Sequence, residues 1–594
     1  MPDHDSPPLS ARISVILVGL MCALPFLQPR HSYPLPSFYS EWLAFVLGLA
    51  ALFPLVLRRY NRPLHVPWIA IPPLVLAAVL MIHIALLKST YPQQTLLAVA
   101  YLVWGASIIV LSGVLTRQFG LVTMYRTIAW FVLVGGILNA AAAILQHYDA
   151  RGFLEPLIAT KMGDTLYGNL AQENHFADQM ALTLASLVFL NATGRLRTAI
   201  AAVLCIPLLV VLDLSGSRSA WLFLAAIATL ALVFFLRDRS AVNRRALVFC
   251  LLLIPGFALA HFLTYLPWLA GATPQVTTAE RLFRLAAGNS VRFQLWREAW
   301  LMFLDAPLLG VGWGQFAWHY FLFGGSLAGV SLTGLYNHAH NVLFQLLAET
   351  GLAGALVILV GSVLWIAGVV RTTMRIETWW LLAALAILGV HSMLEYPLWN
   401  SYFLGLACVF LGAGETRIVT LHQTRLARTA VGALMLIGAA TSFSMLSGYQ
   451  RLEAVLYRQY ADSTQETLAH SQREMMSVYA GFLLAPYVEL AYARDISLDR
   501  VNIDEKLMFT GRVMRFAPTG MVAYRHAALW ALKGNEREAL RYLDHAVAVY
   551  PTLLEKFAAE FNALDLATQP VARAFSDALN QRLLDRRTPG AKDG

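Results

Sequence analysis

Apolar stretches of about 18 to 25 residues recur from near Ala11 to Leu446, separated by polar breaks. A helix of that length rises about 1.5 Å per residue and so crosses a hydrocarbon core roughly 30 Å thick. The pattern predicts about thirteen transmembrane helices within residues 12–447. Five run near 12–28, 40–57, 66–88, 93–115 and 125–147, and a sixth opens in the polar run Gly168 to Asp178. The others lie near 199–214, 219–236, 246–266 and 342–370, on either side of His391 to Asn400, and near 430–447. Residues 1–11 are polar, carry prolines and are read as a disordered tail. No small-residue cleavage site follows the first apolar run, so it is read as a retained helix.

The pattern changes after Gly448. Residues 448–594 have helical periodicity without strand-like alternation and form a soluble domain. Within Met521 to Pro551, Ala527, Trp530, Ala539, Leu543 and Ala546 recur around Lys533-Gly534-Asn535 with the spacing of one tetratricopeptide-like hairpin, a partner-binding unit. The expected fold is an all-α polytopic membrane protein with a large outer loop at 267–341 and a C-terminal helical domain on the same side.

Composition agrees with a membrane chain. The 594 residues are 58% hydrophobic and 13% charged, with a mean hydropathy of +0.59, which excludes a soluble globular protein. The net charge of +9 could signal nucleic acid, but its distribution answers otherwise. Arginines gather in alternate loops, at 58, 59 and 62, at 117 and 126, at 195 and 197, at 237, 239, 244 and 245, at 371 and 375, and at 417, 425 and 428. The intervening short loops hold only Arg30, Lys88, Arg151, Lys161 and Arg218. By the positive-inside rule, the N-terminus and the arginine-rich loops are cytoplasmic, and no nucleic-acid partner is implied. Cys22, Cys205, Cys250 and Cys408 all fall in predicted spans without a Cys-x-x-Cys pair and are read as packing residues. Asp3-His4-Asp5 sits on the tail and is read as chance.

Polar chemistry concentrates at the outer edge. Asn337-His338-Ala339-His340-Asn341 places two imidazoles and two amides where the outer loop meets a span. On the sixth helix Asn174 and Asp178 share a face, as do Gln172 and His175. Capping and inter-helix bonding stand there beside a head-group role. Ser217-Arg218-Ser219 sets an arginine on the arginine-poor side, where a guanidinium can grip diphosphate oxygens. Asn289 to Trp300 has the spacing of an interfacial helix carrying Arg292 and Arg297, with Arg292, Trp296 and Trp300 on one side. Gly310-Val311-Gly312-Trp313-Gly314 is read as a plain turn. His391 and Glu395, four apart, are expected to pair with each other, though metal or substrate contact is also open to them. A zinc site at His338-x-His340 lacks a third ligand unless His391 or Glu395 approaches it, so no metal or other cofactor is assigned.

Two arginines and an imidazole base describe group transfer from a diphosphate-linked lipid: arginine holds the diphosphate, and a neutral histidine takes the proton of an attacking hydroxyl. A glycosidase would need two flanking carboxylates, and no such pair stands on this face. Spacing does not separate His338 from His340 as the base.

His340-Asn341, a nine-residue gap and Gly351-x-x-Gly354 resemble the signature of the bacterial O-antigen ligase superfamily. Ser217-Arg218-Ser219 and the Arg292 helix before Pro307-x-x-Gly310-x-Gly312 match that family in order and spacing. Gln172-x-Asn174-His175, His391-x-x-x-Glu395-Tyr396-Pro397 and the helical C-terminus are most similar to protein O-oligosaccharyltransferases, the PglL-type pilin glycosylation ligases. The resemblance implies a GT-C-like fold in the bacterial inner membrane with its active site on the periplasmic face. It implies metal-independent transfer of an undecaprenyl-diphosphate-linked glycan to serine or threonine hydroxyls of exported proteins such as pilin. His340 is then the base, with His338 beside it, and Arg218 and Arg292 bind diphosphate. Arg297, Gln172, Asn174, His175, Asn341, His391 and Glu395 are the further substrate-contact candidates. Ligation to lipid A core, O-antigen polymerisation and, more distantly, transport of lipid-linked sugar are the competing readings.

Overall fold

The computed structural model describes Pro8 to Arg587 apart from 58–62, 88, 265, 267–290, 324–332, 373, 423–424, 462–464 and 565–568. The N-terminal tail with Asp3 and Asp5, Arg58, Arg59, Arg62 and Lys88, and much of the outer loop including Asn289 and Ser290, lie outside the described residues.

Fifteen described helices of eight residues or more build the bundle and the outer-loop part of its cap: α1 (Leu9–Met21), α2 (Phe38–Ala51), α3 (Ile71–Leu86), α4 (Pro92–Phe119), α5 (Leu121–His147), α6 (Glu173–Ala192), α7 (Thr198–Leu214), α8 (Ser219–Arg237), α9 (Ala241–Leu263), α10 (Val291–Asp305), α11 (Phe316–Phe323), α12 (Val342–Val369), α13 (Ile376–Ser392), α14 (Ser401–Gly414) and α15 (Arg425–Ala461). Among the described residues nine helical stretches are long and apolar enough to cross a membrane: α1, α2 and α3 with the short helical turns that extend them to Leu9–Leu27, Phe38–Val56 and Trp68–Leu86, then α4, α5, α8, α9, α12 and Arg428–Arg458 within α15. The other four predicted spans are helices of a different kind. α7, α13 and α14 are apolar but shorter. α6 is buried at every position from His175 to Ala192, so its surroundings are protein and it can carry Asp178, Gln179, Thr183 and Ser186. Trp380 Nε1 donates to Ser186 Oγ at 3.1 Å in that core.

At the arginine-rich end the structure adds a two-stranded antiparallel sheet absent from the sequence reading, β1 (Pro63–Pro67) with β2 (Ile418–His422). Arg117 donates to the His65 carbonyl on it at 2.9 Å.

α12 is bent at Gly351, where φ is +59° and ψ −158°, a conformation suited to glycine. A Cβ there would lie 2.5 Å from the Leu308 carbonyl carbon, and one at Gly310 would lie 2.4 Å from that of Glu349. Val311 N and Gly312 N donate to the Ala348 and Glu349 carbonyls at 2.9 and 3.2 Å, and Leu352 N donates back to Pro307. The two glycine motifs therefore lock together backbone to backbone, in keeping with the plain-turn reading.

The C-terminal part is helical: α16 (Gln465–Tyr479), α17 (Ala485–Arg494), α18 (Ile503–Phe516), α19 (Gly520–Lys533), α20 (Glu536–Val549), α21 (Leu554–Asn562) and α22 (Pro570–Arg587). α19 and α20 form a hairpin about Gly534, whose φ is +92°, and bury Ala527, Ala539, Leu543 and Ala546 completely. Leu295 and Met302 of α10 and Phe316 and Phe321 of α11 share one apolar core with Val513, Leu543 and Phe557. The outer-loop helices and the C-terminal helices are thus packed as one cap. Arg30 pairs with Glu453 of α15 at 2.7 Å within the bundle, and Tyr91 donates to Glu489 of α17 at 2.5 Å, fastening the cap to it.

Candidate active site

Under the cap, the start of α12 sets the geometry. The Asn341 side chain caps this helix by accepting from Leu343 N and Phe344 N at 3.0 and 3.2 Å, and it donates to the Met393 carbonyl at 3.2 Å. Both ends of the Asn341 amide are thus engaged by the chain itself. Ala339 N is held by Gln345 Oε1 at 2.7 Å. Between these fixed points His340 has φ +52°, a left-handed backbone unusual for a residue with a side chain.

That backbone turns His340 Nδ1 onto Glu395 Oε2 at 2.6 Å. Arg292 of α10 donates to the other oxygen of the same carboxylate at 2.8 Å and to the Leu394 carbonyl at 2.9 Å. Asn174 of α6 donates to Glu395 Oε1 at 3.2 Å, and Ser217 Oγ donates to Asn174 Oδ1 at 2.8 Å. Arg218 follows Ser217 at the N-cap of α8, so the Ser-Arg-Ser turn is tied to the same carboxylate. Burial alone would push the Glu395 carboxyl up, but the His340 hydrogen bond and the charges of His340 and Arg292 hold it at about 2. Glu395 is a carboxylate at any working pH. With Nδ1 committed to that carboxylate, the neutral imidazole keeps its lone pair on Nε2. The imidazole and guanidinium are each 24% exposed, open enough to meet a substrate.

His338 differs. Its ring stacks on Tyr396 at 4.2 Å with Trp399 edge-on at 5.3 Å, and its Nδ1 meets Asn337 Oδ1 at 3.0 Å. Burial, then the neighbouring His340 charge, push it down to about 3, so it stays neutral. Tyr396 lies between the two imidazoles, edge-on to His340 at 5.3 Å.

The expected His391–Glu395 pair is not formed. α13 ends at Ser392, which takes Glu395 off the helical face toward His340 and Arg292. His391 points inward instead, its Nδ1 2.5 Å from Asp178 Oδ2, with both side chains fully buried. Gln172 caps α6, accepting from His175 N at 2.5 Å. His175 Nδ1 meets the Tyr402 hydroxyl at 3.0 Å, and its ring lies 5.5 Å from that of His391. His175 and His391, with Asp178, form a buried layer beside the open cluster, and Gln172 is half-buried at the start of α6. Arg297 is exposed, and five residues on from Arg292 it stands about 140° round the helix, away from Glu395. Among the described residues no trio of His, Cys, Asp or Glu is arranged to hold a metal ion.

Residues 200–359, which carry Arg218, Arg292 and His340, match the family model described as O-antigen ligase. The chain contains an O-antigen ligase family domain. Residues 379–562, which carry Glu395, match a second family model, described as virulence factor membrane-bound polymerase, C-terminal. The ion cluster therefore joins the ligase domain to the segment after it. Two proteins of Acinetobacter baylyi (strain ATCC 33305 / BD413 / ADP1) are similar over a longer range. A general O-oligosaccharyltransferase is 25% identical over 400 residues, 66% of this chain and 67% of its own. A ComP-specific O-oligosaccharyltransferase is 23% identical over 416 residues, 65% and 68% of the two chains.

Sequence reasoning found the members of the ligase-domain cluster but not all of its wiring. Asp178 stood in the sequence one turn after Asn174, which signalled a shared face but not a bond to His391. Tyr396 stood out only as part of the His391 to Pro397 motif, and Tyr402 gave no signal, since an aromatic near a helix end is ordinary in a membrane protein.

Proposed function

We propose that this protein is a glycosyltransferase that moves a glycan en bloc from an undecaprenyl-diphosphate carrier to serine or threonine hydroxyls of exported proteins, pilin among them, on the periplasmic face of the inner membrane. One observation carries the reading: a partly exposed imidazole oriented by a carboxylate that also holds Arg292. The hydroxyl oxygen attacks the anomeric carbon and the bond from that carbon to the diphosphate oxygen breaks, its electron pair leaving with the lipid diphosphate. The hydroxyl proton passes to His340 Nε2, and Glu395 stabilises the imidazolium. Arg292 and Arg218 hold the diphosphate as its charge grows. His338, neutral and stacked, lines the pocket beside the base. The names of both relatives favour a protein acceptor. Polymerisation of O-antigen repeats is the second reading, favoured by the name of the family matched at residues 379–562.

The test is transfer by purified protein from an undecaprenyl-diphosphate glycan to a serine-bearing pilin, with His340→Ala beside wild type and EDTA present. Transfer that survives EDTA and is lost in the variant is the expected result. Growth of a glycan chain on the lipid with the pilin unmodified would give the polymerase reading instead.

A further inference from the structure

A groove of about 580 Å³ runs between α7 and α9. Its walls are apolar, with Ala202, Cys205 and Leu209 on one side and Val248, Leu252 and Leu259 on the other. Val248, Leu252 and Leu259 are 51%, 62% and 57% exposed, so the wall faces the membrane rather than another helix. The helices approach at Gly256, where a Cβ would lie 3.0 Å from Leu209 Cδ1. Along α7 the lining reaches from Thr198 to Val210, about 18 Å at helical rise and close to one leaflet of a core roughly 30 Å thick.

The groove is polar at one end. Arg244, Arg245, Thr198 and Asn191 line its mouth at the arginine-rich end. Arg195 and Arg197 stand in the α6–α7 turn that delivers Thr198, and all four arginines are exposed. None of the four meets a carboxylate among the described residues. Asp238, the acidic residue in the α8–α9 turn, is held by Asn243 Nδ2 at 3.1 Å.

We infer that this groove seats an anionic glycerophospholipid, its phosphate on Arg244 and Arg245 and an acyl chain between α7 and α9. Paired guanidiniums match phosphate oxygens, and basic mouths between membrane helices recruit anionic head groups. The charged end fixes the occupant's orientation. It lies at the opposite end of the bundle from Glu395, so a lipid held by it is a different molecule from a diphosphate donor gripped by Arg218 and Arg292. Because α7 ends in the turn that carries Ser217 and Arg218, a lipid wedged along it braces that turn from below.

The test adds phosphatidylglycerol or phosphatidylcholine to the purified full chain and reads bound lipid by native mass spectrometry and protection against thermal unfolding. Wild type is expected to retain phosphatidylglycerol roughly tenfold or more over phosphatidylcholine, at about 1 kcal/mol per arginine. Arg244→Gln with Arg245→Gln abolishes that preference, whereas the double lysine variant keeps it. Val248→Trp fills the groove and loses the lipid with the charges intact. Equal retention of both lipids, a preference that survives the double glutamine variant, or displacement of phosphatidylglycerol by undecaprenyl diphosphate would each overturn the inference. Glycan transfer plays no part in these readouts, so they stand apart from the proposed function.

Discussion

Two carboxylate–imidazole pairs lie one turn apart along the stretch from His391 to Glu395, with nearly the same contact distance. His340 and Glu395 meet at 2.6 Å, and His391 and Asp178 at 2.5 Å. The first pair is partly open, shares its carboxylate with an arginine and leaves Nε2 clear of that carboxylate. The second is sealed, with 0% exposure on both side chains, and its Nε2 has no partner among the described residues. Surroundings, not the pair itself, decide which can do chemistry. An open pair can take a proton from a substrate, whereas a closed one can only fix the elements that carry it.

The comparison is broken most directly at His340. Substituting alanine removes the proposed base, and transfer is expected to fall roughly 10²- to 10⁴-fold with the thermal unfolding temperature unchanged, measured on one preparation. Glu395→Gln keeps the shape and removes the charge behind the imidazole, so kcat should drop more than KM rises. A His340→Ala enzyme with full transfer would end the division of roles.

The buried pair should answer in stability instead. Asp178→Ala leaves His391 facing an unfilled polar site in the core, and breaking a buried pair costs about 3–5 kcal/mol. The expected outcome is a lower unfolding temperature and a poorer yield, with transfer per folded molecule largely kept. If transfer collapsed while stability held, Asp178 would belong with Glu395.

Much of this was legible before the structure. Arg218, Arg292, His340 and Asn174 each announced themselves as polar residues at the edge of apolar runs, where burying them without a partner is unfavourable. The pairing was not legible, because four-residue spacing puts His391 and Glu395 on one face only while the helix continues, and α13 ends between them. Nor did hydropathy reveal α6 as wholly enclosed, since it sums what residues are and not what surrounds them. The β1–β2 ribbon joins segments about 350 residues apart, a register that local pattern cannot carry.

Another buried imidazole, in the C-terminal helices, sharpens the comparison, because no carboxylate pairs with it among the described residues. His526 of α19 bonds Thr510 Oγ1 at 2.7 Å and accepts from Trp530 Nε1 at 3.1 Å. Burial, then the nearby Arg541 charge, push it down to about 4. The unfolded chain binds this proton near pH 6.5 and the folded one does not until about pH 4. Its contribution is therefore intact above pH 6.5 and is lost as pH falls to about 4, roughly 3 kcal/mol in all. Chemical denaturation at pH 7 and pH 4.5 should show most of that loss, and a His526→Gln variant should show a flatter profile.

The smallest effect is expected at Arg297, and it separates position from charge. Arg292 and Arg297 sit on the same helix with the same guanidinium, yet only Arg292 reaches Glu395 and the Leu394 carbonyl. Arg297 shares the outer surface of α10 with Phe293, Trp300 and Leu304, which are 69%, 45% and 56% exposed. An arginine among such neighbours has the setting of an interfacial helix, its stem along the apolar surface and its head in the polar layer. Arg297→Gln should change stability by less than about 0.5 kcal/mol and transfer by no more than roughly twofold. Arg292→Gln, assayed beside it, should lower transfer by at least an order of magnitude, since it removes a charge-assisted bond to a partly buried carboxylate as well as the proposed diphosphate ligand. Equal losses in the two variants would mean that the helix acts through its net charge, and the contact between Arg292 and Glu395 would no longer distinguish one arginine from the other.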